Sequence, residues 1–175
     1  MSKILVVCYS YTGTCLYLAR ELCSQQGWHS GEITLARPRG GNLGYWRCVL
    51  DSLLRRAPEI RYNGPPPLKY EAVVLISPIW ALRLASPMRS FVARRRDHLP
   101  EVAVISVVGG AGAPNAVAEV GQVLGRAPID SAVFTVQEVE EGDCRARLRS
   151  FAGELRNALD SKQRAPPAGL SPKAI

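Results

Sequence analysis

The chain has 175 residues, 47% of them hydrophobic, which suits one compact domain with a sizeable core and excludes wholesale disorder. No apolar run is long enough to span a bilayer and no secretory signal is recognisable, so we expect a cytoplasmic protein without a membrane span. The net charge of +7 indicates an acidic partner, but the basic residues follow no nucleic-acid motif and the five dispersed cysteines follow no metal-site spacing, so we predict neither nucleic acid nor metal as a ligand.

Strand patterns and helix patterns alternate along the chain. Strands are predicted where short apolar runs occur, and helices where apolar residues recur at i, i+3, i+4 and i+7. In chain order the segments are strand 4–7, helix 15–22, strand 32–35, helix 46–53, strand 72–76, a short helix from Ser86-Pro87, strand 102–108, helix 117–124, strand 132–136 and helix 148–155. Each helix is expected to pack its apolar stripe on the sheet, and in the second helix this stripe is Trp46, Val49, Leu50 and Leu53.

This alternation predicts a doubly wound α/β sandwich, in which a parallel sheet carries helices on both faces. The strand at 32–35 alternates apolar and polar residues, which is typical of an edge strand. After Leu159 the sequence loses helical periodicity and gains prolines. We therefore predict one domain over residues 1–161 and a disordered C-terminal tail over residues 162–175.

In open parallel sheets, ligands bind beyond the carboxyl ends of the strands, so the loops there are candidate sites. The first loop, SYTGT, places the hydroxyls of Ser10, Thr12 and Thr14 at a helix N-terminus. Such a turn can hold a nucleotide phosphate or a flavin phosphate, or it can cap the helix without any ligand. It lacks GxGxxG, GxxxxGK[ST] and a following lysine, so a monophosphate fits better than a triphosphate.

Two further loops belong to the same predicted edge. The loop SPIWALRLASP, residues 77–87, contains Trp80, which could lie flat on a conjugated ring or form a lid over the core, and the sequence does not favour either. The loop Gly109-Gly110-Ala111-Gly112 has almost no side chains, so a flat ligand can approach its backbone closely, although it could also be a flexible turn.

Together these loops resemble a known family. SYTGTC after a strand is similar to the [ST]-x-[ST]-G-x-[ST] phosphate loop of flavodoxins, and SPIWALRLASPMRSF is similar to the isoalloxazine loop of flavodoxin-like FMN proteins, over roughly residues 3 to 160. The resemblance implies a five-stranded parallel sheet of order 2-1-3-4-5 with noncovalent FMN at its edge. The implied phosphate ligands are Ser10, Tyr11, Thr12, Gly13, Thr14 and Cys15. The implied ring contacts are Pro78, Ile79, Trp80, Ala81, Leu82, Arg83, Gly109, Gly110, Ala111 and Gly112.

The chain departs from the family pattern at two points. Cys15 stands at the last hydroxyl position, and a thiol is a weak hydrogen-bond donor. The chain is also basic, whereas carrier flavodoxins are typically acidic, and arginines including Arg83 and Arg89 lie in or after the flavin loop.

The resemblance implies a redox protein in which FMN carries the electrons, so no catalytic side chain is predicted. The protein would act as an electron carrier or as an NAD(P)H-dependent reductase of quinone-like acceptors, with a redox partner or a small molecule accepting the electrons. The alternative is a noncatalytic flavodoxin-fold module that has lost FMN and works by protein contact.

Overall fold

A computed structural model of the chain describes residues 3–37, 41–110 and 112–164. The strands are β1 (Ile4–Tyr9), β2 (His29–Leu35), β3 (Ile60–Asn63), β4 (Ala72–Trp80), β5 (Arg83–Leu84), β6 (Glu101–Val108) and β7 (Asp130–Thr135). The helices are α1 (Thr14–Gln26), α2 (Gly41–Leu53), α3 (Ser86–Arg95), α4 (Ala113–Leu124), α5 (Val136–Glu141) and α6 (Cys144–Arg164).

The sheet has the predicted doubly wound order. Strands run β3-β2-β1-β4-β6-β7, and the pairs β1–β2, β1–β4, β4–β6 and β6–β7 are parallel. The five predicted strands therefore occur in the predicted order 2-1-3-4-5, and the fold class is confirmed. Chain order reverses at β1, because β2 lies on one side of it and β4 on the other.

The number of strands was predicted wrongly. Over the described residues the sheet has seven strands, because β3 pairs antiparallel with β2 and β5 pairs antiparallel with β4. The strand at 32–35 is therefore covered by β3 and does not form the edge. The segment IRYN that forms β3 alternates apolar and polar residues over only four positions, which is too short a pattern to identify a strand from sequence.

Two apolar cores lie on opposite faces of the sheet, since successive residues of each strand point to opposite sides. Ile4, Val6 and Cys8 of β1 face a core formed with α1 and α6, whereas Leu5 and Val7 face a core formed with α3 and α4. The predicted stripes of α1 (Cys15, Leu18, Ala19, Leu22) and α6 (Leu148, Phe151, Ala152, Leu155) are fully buried, as expected.

Helix α2 contradicts its predicted stripe. The residues it buries are Gly44, Cys48, Asp51 and Ser52, while Trp46, Leu50 and Leu53 are exposed. Val49, the fourth residue of the predicted stripe, is half-buried and packs with Tyr45 against the apolar core that contains Cys48. The other inward-facing residues of α2 are small or make hydrogen bonds, so polar contacts contribute to its packing. Apolar spacing alone predicted the helix correctly but assigned it the wrong buried face.

The C-terminal helix extends past the predicted domain boundary. Helix α6 ends at Arg164, so residues 162–164 are helical and do not form a tail. The ammonium Nζ of Lys162 lies 2.7 Å from Oε1 of Glu101, so an ion pair connects the last turn of α6 to the start of β6. Residues 165–175, the remainder of the predicted tail, lie outside the described residues. Among the helices that the structure describes, none is long and apolar enough to cross a membrane.

Candidate functional site

A cavity of about 380 Å³ lies at the carboxyl ends of four neighbouring parallel strands. It opens beside the point where chain order reverses at β1, which is where open α/β sheets bind ligands. Its walls come from the β1–α1 loop, the end of β4, the end of β6, and helices α2 and α5. The lining residues are Ser10, Tyr11, Thr12, Thr14, Cys15, Tyr45, Pro78, Ile79, Trp80, Val107, Gly109, Val136 and Glu140.

The β1–α1 loop presents the N-terminus of α1 to this cavity. Gly13 occupies the N-cap with a φ of 99°, a left-handed conformation that favours glycine, and it has no side chain to cap the first turn. Ser10 Oγ accepts a hydrogen bond from the Gly13 N–H at 3.0 Å and so holds the loop in shape. The hydroxyls of Thr12 and Thr14 lie 3.3 Å apart. This arrangement leaves helix amides and two hydroxyls available to an anion.

Trp80 forms the aromatic wall of the cavity and is only 7% exposed. Its ring makes edge contacts with three tyrosines, Tyr9, Tyr11 and Tyr45, at centroid distances of 5.8, 5.9 and 5.8 Å. Strand β4 continues through Trp80, so residues 77–80 are strand and not loop as predicted. Trp80 is therefore a packed residue of the core that also lines the cavity.

A tight hairpin turn follows Trp80. Trp80 pairs with Arg83 across β4 and β5, and the two residues between them, Ala81 and Leu82, have φ of 48° and 60°. A two-residue turn of this kind favours Asn or Gly, and each left-handed non-glycine residue costs about 1–2 kcal/mol. Gly112 packs against the turn so closely that an added Cβ would lie 2.6 Å from the Leu82 Cα. The start of α4 thus supports the strained turn directly.

A buried ion pair between Arg89 of α3 and Glu119 of α4 anchors the hairpin. Both residues are only 5% exposed. Glu119 Oε2 accepts the Leu84 N–H at 3.2 Å, and Arg89 Nη2 donates to the Leu84 carbonyl at 3.1 Å and to the Ser52 carbonyl at 3.3 Å. The sequence places Arg89 among the basic residues in or after the flavin loop, but the structure shows that its charge is buried and paired.

Solved structures of flavoproteins share this architecture. A flavoprotein from Lactobacillus acidophilus NCFM in complex with FMN superposes with a TM-score of 0.67 and 20% identity, over 81% of this chain and 98% of that one. The chain has the flavodoxin-like fold. The apo-form of the Lactobacillus flavoprotein matches with a TM-score of 0.59 and 18% identity, over 80% of this chain and 96% of that one.

A flavodoxin from Streptococcus pneumoniae TIGR4 matches this flavodoxin-like chain with a TM-score of 0.52 and 14% identity, over 89% of this chain and 99% of that one. No model of a known protein family matches the sequence, and no curated protein matches it. At such identities the likeness establishes the fold and leaves the activity to be argued from the site.

Nine of the residues implied by the family resemblance meet in the cavity of this flavodoxin-like fold. They are Ser10, Tyr11, Thr12, Thr14, Cys15, Pro78, Ile79, Trp80 and Gly109. Gly13 shapes the first loop without lining the cavity, and Gly110 follows Gly109 along the chain. Ala81, Leu82 and Arg83 instead line a neighbouring groove with Leu53, Arg55 and Glu119. Gly112 supports the hairpin, and Ala111 lies outside the described residues.

Sequence reasoning missed four lining residues, Tyr45, Val107, Val136 and Glu140. Tyr45 belongs to α2, whose orientation the apolar spacing misassigned, and Val136 was assigned to a strand although it begins α5. Glu140 lies two residues after Glu138, which completes a capping box with Thr135. The pattern Thr-x-x-Glu at 135–138 was the signal that could have revealed α5.

Cys15 is a core residue at the cavity's edge. It is 2% exposed and packs in the core that contains Cys8, Leu18 and Leu22. Burial raises the pKa of its thiol to about 12, so the thiol is neutral at physiological pH. A neutral buried thiol contributes packing, and it is a poor phosphate ligand.

We expect Cys15→Thr to lower the free energy of unfolding by about 1–2 kcal/mol, because the new hydroxyl enters an apolar core. FMN affinity should not improve. Urea denaturation and an FMN titration on the same variant measure both effects. Thr14→Val is the matched control, because valine has nearly the size of threonine but lacks its hydroxyl, which lines the cavity. This variant should weaken FMN binding with little loss of stability. Tighter FMN binding by Cys15→Thr would contradict this assignment.

Proposed function

We propose that this protein binds one noncovalent FMN in the cavity beyond β1, β4 and β6 and acts as a redox protein that transfers electrons. The observation that carries the proposal is the pairing of an anion-binding loop with an aromatic wall in one cavity. Thr12, Thr14 and the first turn of α1 form the polar end, and Trp80 and Tyr45 contribute aromatic surface. The FMN complex of a protein with the same fold supports it.

The space available suits this ligand. Pockets for small molecules commonly enclose about 300–1,000 Å³, and the cavity lies within this range. An added Cβ at Gly13, Gly109 or Gly110 would meet nothing within 4 Å, so the backbone at both loops borders open space. A phosphate at α1 and a flat ring over Gly109 are therefore sterically allowed.

Each lining group has a defined task in this proposal. Hydroxyls of Thr12 and Thr14 and the amides of the first turn of α1 bind the phosphate, and Ser10 keeps Gly13 in place. Ile79, Trp80 and Val107 exclude water from the ring. FMN supplies the electron-transfer chemistry when bound, and the protein orients it and sets its surroundings. Glu140 is an exposed carboxylate on the cavity wall, and it disfavours additional negative charge there.

The proposal predicts that FMN binds at least about tenfold more tightly than riboflavin, since charge-assisted hydrogen bonds to the phosphate contribute roughly 1.5–3 kcal/mol each. Titration of the protein into each flavin, followed by quenching of flavin fluorescence, measures the two affinities. Equal affinities would refute the phosphate assignment. Colourless protein that ignores both flavins would favour the noncatalytic module.

We further propose that the FMN-loaded protein is an oxidoreductase that passes electrons from NAD(P)H to quinone-like acceptors. Steady-state mixtures of protein, FMN, NADPH and a soluble quinone should oxidise NADPH faster than free FMN does. Arg83 pairs on β5 with the cavity-lining Trp80 of β4, so its cation can attract the phosphates of NADPH. Arg83→Ala should therefore slow turnover, and added salt should slow turnover by the unaltered protein. A rate equal to that of free FMN would leave an electron carrier.

A further inference from the structure

Helix α2 has its large apolar side chains on the outside. The α2 face consists of Leu43, Trp46, Leu50 and Leu53, which lie on one side of the helix, and Leu54, which directly follows it. Leu43 is 85% exposed and Trp46 is 66% exposed. Large apolar side chains clustered on the surface of a soluble protein are typical of a binding surface.

Polar contacts on the opposite side of α2 hold the face outward. The Ser86 N–H donates to Ser52 Oγ at 3.0 Å, and the Arg89 guanidinium donates to the Ser52 carbonyl at 3.3 Å. Asp51, buried on the same side, pairs with Arg56 at 3.3 Å. Turning α2 to bury its leucines would break these bonds and place Asp51 in water, so the helix cannot relieve the exposure by rotating.

The hairpin turn extends the apolar surface beyond the helix. Leu82 at its tip is exposed, and it lines one groove together with Leu53 of α2. The same groove contains Arg55 and Arg83. Two separate elements therefore present leucines and arginines side by side.

The exposed charges of residues 41–58, the segment that carries the α2 face, are positive. Arg47 and Arg55 are exposed on or next to it, and Arg56 pairs with the buried Asp51, which is the only acidic residue between Gly41 and Pro58. A helix that exposes leucine and tryptophan beside arginines has the composition of helices that lie in the interface of an anionic bilayer. The arginine stems can pack along apolar surface while their charges reach outward.

We propose that the α2 face binds the surface of anionic phospholipid membranes, with its leucines and Trp46 entering the boundary between headgroups and acyl chains. A second copy of the chain fits less well, because an isologous contact would bring Arg47 and Arg55 of each copy together, and residues 41–58 offer no exposed carboxylate to pair with them. Tyr45 of α2 lines the cavity, so membrane contact would bring the cavity within about a helix diameter, roughly 10 Å, of lipid. The proposal does not depend on FMN.

Vesicle binding by the full chain tests the proposal. Vesicles of phosphatidylcholine with phosphatidylglycerol should co-sediment the protein, and vesicles of phosphatidylcholine alone should do so weakly. Trp46 provides an internal reporter, since Trp28 and Trp80 are largely buried and only Trp46 is exposed to solvent. Its fluorescence should shift to shorter wavelength on binding, and added salt should reduce the bound fraction.

Two variants separate the apolar and ionic contributions. Leu43→Ser with Leu50→Ser should lower the partition coefficient at least about tenfold through lost apolar burial. Arg47→Gln with Arg55→Asn should lower it by about tenfold through lost attraction to anionic headgroups. Asn is chosen at position 55 because Arg55 has a φ of 53°, which Asn tolerates. Leu68→Ser, which alters an exposed leucine outside the face, should bind like the unaltered protein.

Three results would overturn the proposal. Undiminished binding by the double serine variant would show that net charge alone attracts the protein. No vesicle binding, together with dimerisation in analytical ultracentrifugation that the serine variant abolishes, would show that a second copy covers the face. No vesicle binding by a protein that stays monomeric would show that the face does not bind anionic lipid.

Discussion

Glu119→Gln should lower the free energy of unfolding by about 3–5 kcal/mol, because it leaves the buried Arg89 guanidinium without a compensating charge. The same carboxylate accepts the Leu84 N–H, so the substitution also disturbs the anchoring of the hairpin. Urea denaturation followed by far-ultraviolet circular dichroism measures the loss. FMN affinity should fall as well, since Trp80 and the residues preceding it line the cavity next to the hairpin.

Asp97→Asn provides the matched control. Asp97 pairs with Arg96 on the surface, where both side chains are largely exposed, so its neutralisation should change stability by no more than about 0.5 kcal/mol. Arg89→Met combined with Glu119→Leu should be less destabilising than the sum of the single changes, because removing both charges leaves neither one buried alone. A loss below 1 kcal/mol for Glu119→Gln would show that the pair is hydrated in solution.

Trp80→Ala should cost about 3–5 kcal/mol of stability, the usual range for deleting a large buried aromatic side chain. The substitution removes the contacts with Tyr9, Tyr11 and Tyr45 and opens the core towards the cavity. Chemical denaturation measures the effect, with the slope of the transition checked for constancy.

Trp46→Ala is the control of the same residue type. Because Trp46 is mostly in solvent, this change should alter stability by about 0.5 kcal/mol at most. Trp80→Phe retains an aromatic ring and should keep most of the stability, so its FMN affinity reports the contribution of the indole to the cavity wall. If Trp80→Ala proved as mild as Trp46→Ala, Trp80 would not be part of the packed core in solution.

The alternation of parallel strands and helices could be predicted from sequence for one physical reason, whereas the strand order 2-1-3-4-5 and the candidate site residues were implied by the family resemblance. Strands buried on both faces must be apolar throughout, and the apolar residues of the helices between them must recur every three to four positions. Both patterns can be recognised in short stretches of the sequence. Right-handed crossovers then restrict the topology, and the carboxyl ends of the strands define where a ligand can bind. The apolar strand runs at 72–76 and 102–108 carried most of this information.

The two antiparallel strands could not be predicted in this way. Strand β3 has four residues and β5 has two, and strands so short have too few positions for a periodic pattern. Their pairing depends on partners distant in sequence or on a turn with left-handed residues that the sequence does not favour. The strained turn at Ala81 and Leu82 exists because Gly112 and Glu119 of another element support it.

Local spacing was sufficient to indicate the helices, the parallel strands and a loop suited to a phosphate, since each depends on neighbours along the chain. Only the tertiary structure decided which side of α2 is buried, that Trp80 packs on three tyrosines, and that Arg89 is paired inside the protein. These outcomes depend on hydrogen bonds and contacts between residues such as Ser52, Arg89 and Glu119, which lie on three different helices. A buried ion pair and its hydrogen bonds can orient a helix against its own apolar spacing, because an unpaired charge or polar group in the core costs more than an exposed leucine does.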